Sequence, residues 1–223
     1  ALRAQSVELD AQGLSMVLQY SGHSVVLPTT LIGAFNAYNL LAVVGVGLAM
    51  QLQLKDIADT LKSCRPAPGR MQRVDRRDGQ PVVVVDFAHT PDALDKALQA
   101  CQSHCEGELS VIFGCGGDRD KAKRPQMGKI AETGAQTVLI SDDNPRTENP
   151  GAIVNDIVSG MSEPAWVIHD RRQAIRAAIA IANENDWILI AGKGHETQQV
   201  YADRIIELND YQIAAECLQE LAA

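Results

Sequence analysis

From residue 69 onward the chain repeats one pattern: a short apolar run, a polar and Gly-rich break, then a helical stretch. The apolar runs are Val82–Phe87, Leu109–Phe113, Thr137–Ser141, Ala165–Ile168 and Trp187–Ala191. Helical spacing follows at Pro91–Cys105, Pro125–Thr133, Gly151–Met161, Arg171–Asn185 and Asp210–Leu221. Runs that are apolar throughout, rather than alternating, belong to strands buried on both faces. Separated by helices, they predict a parallel sheet covered on each side. Val200–Tyr201 and Arg204–Leu208 flank Ala-Asp and predict a terminal hairpin with one antiparallel strand. The expected class is therefore α/β: a Rossmann-like, doubly wound, mostly parallel sheet with one antiparallel edge strand.

The first third reads differently. Ser6–Leu9, Leu14–Tyr20 and Ser24–Leu27 alternate apolar and polar residues between Gly turns, as antiparallel strands do. An apolar helix follows at about Leu40–Leu52 and a shorter one at Leu54–Ser63, with apolar residues at Leu54, Ile57, Ala58 and Leu61. Pro66-Ala-Pro-Gly69 then breaks the pattern. These features predict two domains, residues 1–67 and 68–223. The chain opens on Ala in what reads as mid-domain sequence, so a fragment of a longer protein is expected.

Composition narrows the functional classes. Of 223 residues, 46% are hydrophobic and 22% charged, as in a globular protein with a real core. The longest apolar stretch, Leu40–Met50, is too short to span a bilayer, which takes about 20 apolar residues. A formal net charge of −8 without a basic run argues against a nucleic-acid partner. Five cysteines form no CxxC pair and no zinc spacing, so reduced thiols in a cytoplasmic protein are expected.

In an open parallel sheet the ligand site lies beyond the carboxyl ends of the strands. The polar segments of this chain collect there: Asp86-Phe-Ala-His89, Gly114-Cys-Gly-Gly-Asp-Arg119, Asp142-Asp-Asn-Pro-Arg146, His169-Asp-Arg171 and Gly192-Lys-Gly-His-Glu196. Gly114–Gly117 would let backbone N–H groups approach an anion, though a tight strand-to-helix turn explains it as well. Gly192-Lys-Gly194 is not a Walker A loop, and His195-Glu196 lacks the second His of a zincin. Arg146 offers a planar donor fork for a carboxylate, against the plainer reading of a capped Asn-Pro turn with a solvated Arg. With Arg119 and Glu196 on neighbouring strand ends, two cations and one anion would bracket a small zwitterion. The residues alone carry the argument that far.

Six segments, in this order, resemble the Mur ligase family: GAFNAYN (33–39), PGRMQRV (68–74), VDFAHTPDAL (85–94), GCGGDRDKAKRP (114–125), DNPRTENP (143–150) and AGKGHETQ (191–198). The family's reaction uses ATP to phosphorylate a terminal carboxylate, which an incoming amine then attacks to form an amide. The DNPR segment resembles the members that add meso-diaminopimelate to UDP-N-acetylmuramoyl-L-alanyl-D-glutamate in peptidoglycan synthesis. The resemblance implies that Arg119, Asn144, Arg146, Gly192 and Glu196 hold the diaminopimelate, with Asn144 and Arg146 on its distal carboxylate and Glu196 on its distal ammonium. It also implies that Asn36 and Asn39 contact adenine and that Arg70, Asp86 and His89 reach the ATP phosphates and ribose. Without it, helix caps and core roles would be preferred for those residues.

No phosphate loop, magnesium-binding set or modified lysine of that family is found, so ATP and Mg2+ are expected to be held mainly by upstream domains. Residues 1–67 then read as the end of the central ATP-binding domain and residues 68–223 as the amino-acid-binding domain. No catalytic residue is expected in the chain, and turnover by it alone is not expected. The competing readings are a lysine-adding ligase, a folate polyglutamylating ligase, or a non-catalytic module that binds an amino acid or nucleotide.

Overall fold

The computed structural model describes residues 1–221. The chain divides into two compact units, Ala1–Pro66 and Ala67–Ala223. In the first, strands β1 (Arg3–Asp10), β2 (Gly13–Tyr20) and β3 (His23–Thr29) form an antiparallel meander. The β1–β2 turn is closed by Asp10, whose Oδ1 accepts from the N–H groups of Gln12 and Gly13. Gly13 takes a φ of 143°, and a side chain there would overlap the Thr29 carbonyl, so only glycine closes this corner. Helices α1 (Phe35–Ala49) and α2 (Leu54–Leu61) pack on the sheet through Leu14, Met16, Leu18, Leu27, Leu40, Val44 and Ile57. Helix α1 begins five residues before the expected Leu40. Asn36 and Asn39 do not oppose the helix, because their amides bond inward, Asn36 to the Ile32 carbonyl (2.8 Å) and Asn39 to Asn36 (3.0 Å).

The second unit follows the strand–helix rhythm. Its elements are β4 (Gln72–Arg73), β5 (Val82–Asp86), α3 (Pro91–Gln102), β6 (Leu109–Phe113), α4 (Lys123–Gly134), β7 (Thr137–Ile140), α5 (Pro150–Val158), β8 (Trp166–Val167), α6 (Arg171–Ile181), β9 (Trp187–Ala191), β10 (Gln198–Val200), β11 (Ile205–Glu207) and α7 (Asp210–Glu220). Strand order is β4-β5-β9-β6-β7-β8. The five strands from β5 to β8 in that order are parallel, and β4 pairs antiparallel with β5 at one edge. The antiparallel edge strand is thus β4, not the terminal hairpin. Strands β10 and β11 pair only with each other in a separate sheet. The hairpin is drawn away because its backbone bonds instead to the turn after β7: Arg146 N–H donates to the Val200 carbonyl at 2.9 Å, and Val200 N–H to Asn144 Oδ1 at 3.0 Å.

Side chains alternate across the sheet. Val83, Val85, Ile112, Leu139, Ile188 and Ile190 meet Ala174, Ile175, Ala178 and Ile179 of α6 and Ile213, Ala214 and Leu218 of α7. Val82, Val84, Val111 and Phe113, also buried, turn to the opposite face, where α3, α4 and α5 run. Helices α3, α5, α6 and α7 each start at a side-chain cap, Thr90, Asn149, Asp170 and Asn209 respectively. Such a cap is worth about 1 kcal/mol and sets where the helix begins. Among the described residues no helix is long and apolar enough to cross a membrane.

Candidate functional site

The site is built where the loops after β6, β7 and β9 meet. The loops at 114–117 and 141–146 press backbone to backbone. A Cβ on Gly114 would overlap the Ser141 carbonyl, and one on Gly117 the Pro145 carbonyl. Gly117 N–H bonds the Asn144 carbonyl at 2.9 Å. The glycines therefore serve loop-to-loop contact at these two positions, and the phosphate-cradle alternative is not needed to explain them.

Arg146 follows with a φ of 52°, a left-handed conformation that a side chain resists. Its backbone N–H is held by Val200 and its Nη1 by the Gly117 carbonyl at 2.7 Å. Its Nε and Nη2 make no hydrogen bond among the described residues, which leaves one edge of the guanidinium for an incoming carboxylate. Arg146 and Arg119 converge over Gly116: Arg146 Nη1 stands 2.8 Å and Arg119 Cγ 3.7 Å from where a Cβ on that glycine would lie.

Beside them, Asn144 Nδ2 donates to Glu196 Oε2 at 2.9 Å across two loops. The fully buried Lys193 donates to both, at 3.0 Å to Asn144 Oδ1 and 3.0 Å to Glu196 Oε2, and at 2.7 Å to the Gln198 carbonyl. Burial pushes the Glu196 carboxyl upward, but the hydrogen bonds from Asn144 and Lys193 and the nearby positive charge outweigh it, so the net shift is downward and the group stays ionised. Gly192, at φ 112°, passes so close to Asp143 that a Cβ would sit 2.7 Å from its Oδ2. Asp143 itself is buried, which raises its pKa against the pull of Arg171 and Lys193.

Two networks brace this cluster. Glu148 takes a fork-to-fork pair from the buried Arg124, at 3.0 Å on each oxygen, and a bond from Asp118 N–H at 2.6 Å. Arg124 in turn reaches the Gly116 carbonyl at 3.2 Å. On the other side Asp142 receives the Tyr201 hydroxyl at 3.0 Å and pairs with His169 Nδ1 at 2.8 Å. An open groove lined by Arg146, His169, Asp170, Arg172 and Tyr201 lies beyond; Asn144 and Glu196 do not line it.

A second, separate group stands after β5. Arg70 lies over the Phe87 ring at 4.8 Å, and Phe87 also contacts the His89 and His195 rings. Asp86 Oδ2 accepts from Met71 N–H at 2.7 Å, and burial raises its pKa. Thus Asn144, Arg146, Gly192 and Glu196 come together, Arg119 stands beside Arg146 at Gly116 with its Nη1 on the Asp118 carbonyl, and Arg70, Asp86 and His89 form their own cluster. Asn36 and Asn39 lie in the first unit.

The family model described as Mur ligase, glutamate ligase domain matches residues 69–194. The chain belongs to the Mur ligase family. Among Mur ligases, the UDP-N-acetylmuramoyl-L-alanyl-D-glutamate–2,6-diaminopimelate ligase of Coxiella burnetii is 45% identical over 217 residues, covering 96% of this chain and 44% of the relative. The enzyme of the same name from Xylella fastidiosa is 46% identical over 222 residues, covering 99% and 45%. A solved structure of a ligase of that name superposes with a TM-score of 0.81 at 34% identity, covering all of this chain and 46% of that one. Folylpolyglutamate synthase of Thermotoga maritima (TM-score 0.65, 18% identity, 86% of this chain and 43% of that one) shares the fold. The chain spans less than half the length of the relatives it matches.

Sequence reasoning missed Lys193, which reads as a loop lysine between two glycines. It also missed the hairpin backbone at Val200 and the Arg124–Glu148 brace. Lys193 carries a signal only through its place inside the AGKGHETQ segment.

Proposed function

We propose that this chain forms the amino-acid-holding part of an ATP-dependent ligase that adds meso-diaminopimelate to UDP-N-acetylmuramoyl-L-alanyl-D-glutamate in cytoplasmic peptidoglycan synthesis. The observation that carries this reading is the free edge of the Arg146 guanidinium beside the Asn144–Glu196 pair. A donor edge and an ionised carboxylate this close fit the distal carboxylate and distal ammonium of a zwitterionic amino acid. Lysine has a distal ammonium but no distal carboxylate, so Arg146 would go unused. Arg119 and Gly192 complete the proposed diaminopimelate contacts. Gripped at its far end, the amino acid would present its other amine to an activated carboxylate.

ATP would supply the phosphoryl group that activates that carboxylate. The residues present fit a supporting part in holding it. The Arg70 backbone N–H is taken by the Ala67 carbonyl, but its guanidinium makes no hydrogen bond among the described residues and keeps its donors for phosphate, with His89 beside it on Phe87. Asp86 is already committed to Met71, so its share is to fix that loop. In the first unit each of Asn36 and Asn39 keeps polar capacity after its inward bond, as an adenine edge requires. Mg2+ would accompany ATP, held by parts of the longer relatives that this chain does not span. Residues 1–67 would be the end of the ATP-binding domain.

The test is turnover by the full-length protein with ATP, Mg2+ and the UDP-dipeptide. Phosphate release that requires meso-diaminopimelate and yields the tripeptide product is expected. Release driven equally by lysine or glutamate would overturn the reading.

A further inference from the structure

We infer that Lys193 is the positioning residue of the amino-acid site: it sets the orientation of Asn144 and Glu196 without touching the substrate. This rests on the function proposed above. An ammonium has three N–H donors. Those of Lys193 are matched by three acceptors, Asn144 Oδ1, Glu196 Oε2 and the Gln198 carbonyl, at 3.0, 3.0 and 2.7 Å. No donor remains for a ligand, and the side chain is fully buried. Lys193 therefore acts through its neighbours.

What it does to them follows from the donor inventory. An asparagine amide can flip, exchanging oxygen for nitrogen, and only its partners decide which way it lies. Lys193 and the Val200 N–H both donate to the Asn144 oxygen, which forces Nδ2 toward Glu196. Glu196 then has Oε2 saturated by Asn144 and Lys193, while Oε1 makes no hydrogen bond among the described residues. One carboxylate oxygen is reserved for the structure and the other is presented to an incoming ammonium. The same ammonium ties the base of the hairpin, through Gln198, to the loop after β9. One buried charge thus sets three walls of the site: the turn after β7, the loop after β9 and strand β10.

The test is Lys193→Met in the full-length protein, which keeps the stem length and removes the donors. KM for meso-diaminopimelate should rise roughly 10- to 100-fold, the range expected when a charged hydrogen-bond donor is lost. KM for ATP should stay within about twofold, which a general loss of fold would not spare. An unchanged KM for diaminopimelate, or equal increases for both substrates, would overturn the positioning role. If the wild-type protein does not turn over diaminopimelate at all, the functional reading fails first, and the two failures are told apart. Should the variant not fold, nitrogen-15 lysine labelling of the wild type decides. One slowly exchanging ammonium that stays protected when diaminopimelate binds and shows no proton contact to the ligand is expected. Exchange like that of free lysine, or a direct ammonium-to-ligand contact, would refute the inference.

Discussion

Asn144 Nδ2 lies 2.9 Å from Glu196 Oε2, joining the turn after β7 to the loop after β9. This bond couples the two halves of the proposed clamp, so damage to either should be felt by the other. The separation of 52 residues between the two segments is closed by this contact and by Lys193 beneath it.

Glu196→Gln keeps the shape and removes the charge. It should weaken diaminopimelate binding by about 1.5–3 kcal/mol, the usual worth of a charged hydrogen bond, as read by calorimetry on the full-length protein. In the wild type the Glu196 pKa is lowered, so binding should persist as pH falls through the ordinary glutamate range near 4.5. A binding loss centred at 4.5 or above would show that Asn144 and Lys193 do not hold the charge.

The parallel core was legible in the sequence because strands buried on both faces have no polar positions to obscure them. Val82–Asp86, Leu109–Phe113 and Trp187–Ala191 are all of this kind. Strand β8 shrinks to Trp166–Val167, both exposed, because it sits at the edge and needs little apolar surface. The hairpin was misplaced because its decisive bonds run to Asn144 and Arg146, more than fifty residues away, and no local pattern reports them. Lys193 was illegible for a related reason: two of its acceptors, Glu196 and Gln198, are close in sequence, but the third, Asn144, comes from a turn 49 residues away, and no local pattern reports that burial.

Gly117→Ala tests whether the loops after β6 and β7 are in contact. The added methyl would overlap the Pro145 carbonyl and force the loops apart. A stability loss of about 1–3 kcal/mol is expected, with weakened diaminopimelate binding alongside it. Thermal melting and titration of the same preparation check both, and an alanine accepted without cost would show that the loops do not touch.

Arg171 and Asp210 are both fully buried and paired in two hydrogen bonds of 2.9 Å, and Arg171 also reaches the Ala191 carbonyl at the end of β9. Arg171→Met alone should cost about 3–5 kcal/mol, because it strands a buried carboxylate. Arg171→Met with Asp210→Leu should recover much of that loss. A double variant no more stable than the single one would mean that the pair's hydrogen bonds, not its stranded charge, carry the effect.

Glu148 offers a pH test of the brace. Its pKa falls from 4.5 to about 2, first through the hydrogen bonds from Arg124 and then through that from Asp118 N–H. A carboxyl held lower in the folded state stabilises above its unfolded pKa, and that stability is lost as pH falls toward the folded value. Glu148→Gln should therefore lower Tm at pH 7, and the gap to wild type should close between about pH 4.5 and 2. A gap independent of pH would contradict the charge pairing.

The most direct measurement is calorimetric titration of the full-length protein, with a non-hydrolysable ATP analogue present, using meso-diaminopimelate and then L-lysine. Arg146→Ala serves as the control. Saturable binding of diaminopimelate alone, weakened at least about tenfold in the variant, is the predicted result. Lysine bound as tightly as diaminopimelate, or diaminopimelate binding indifferent to Arg146→Ala, would contradict the assignment of this site.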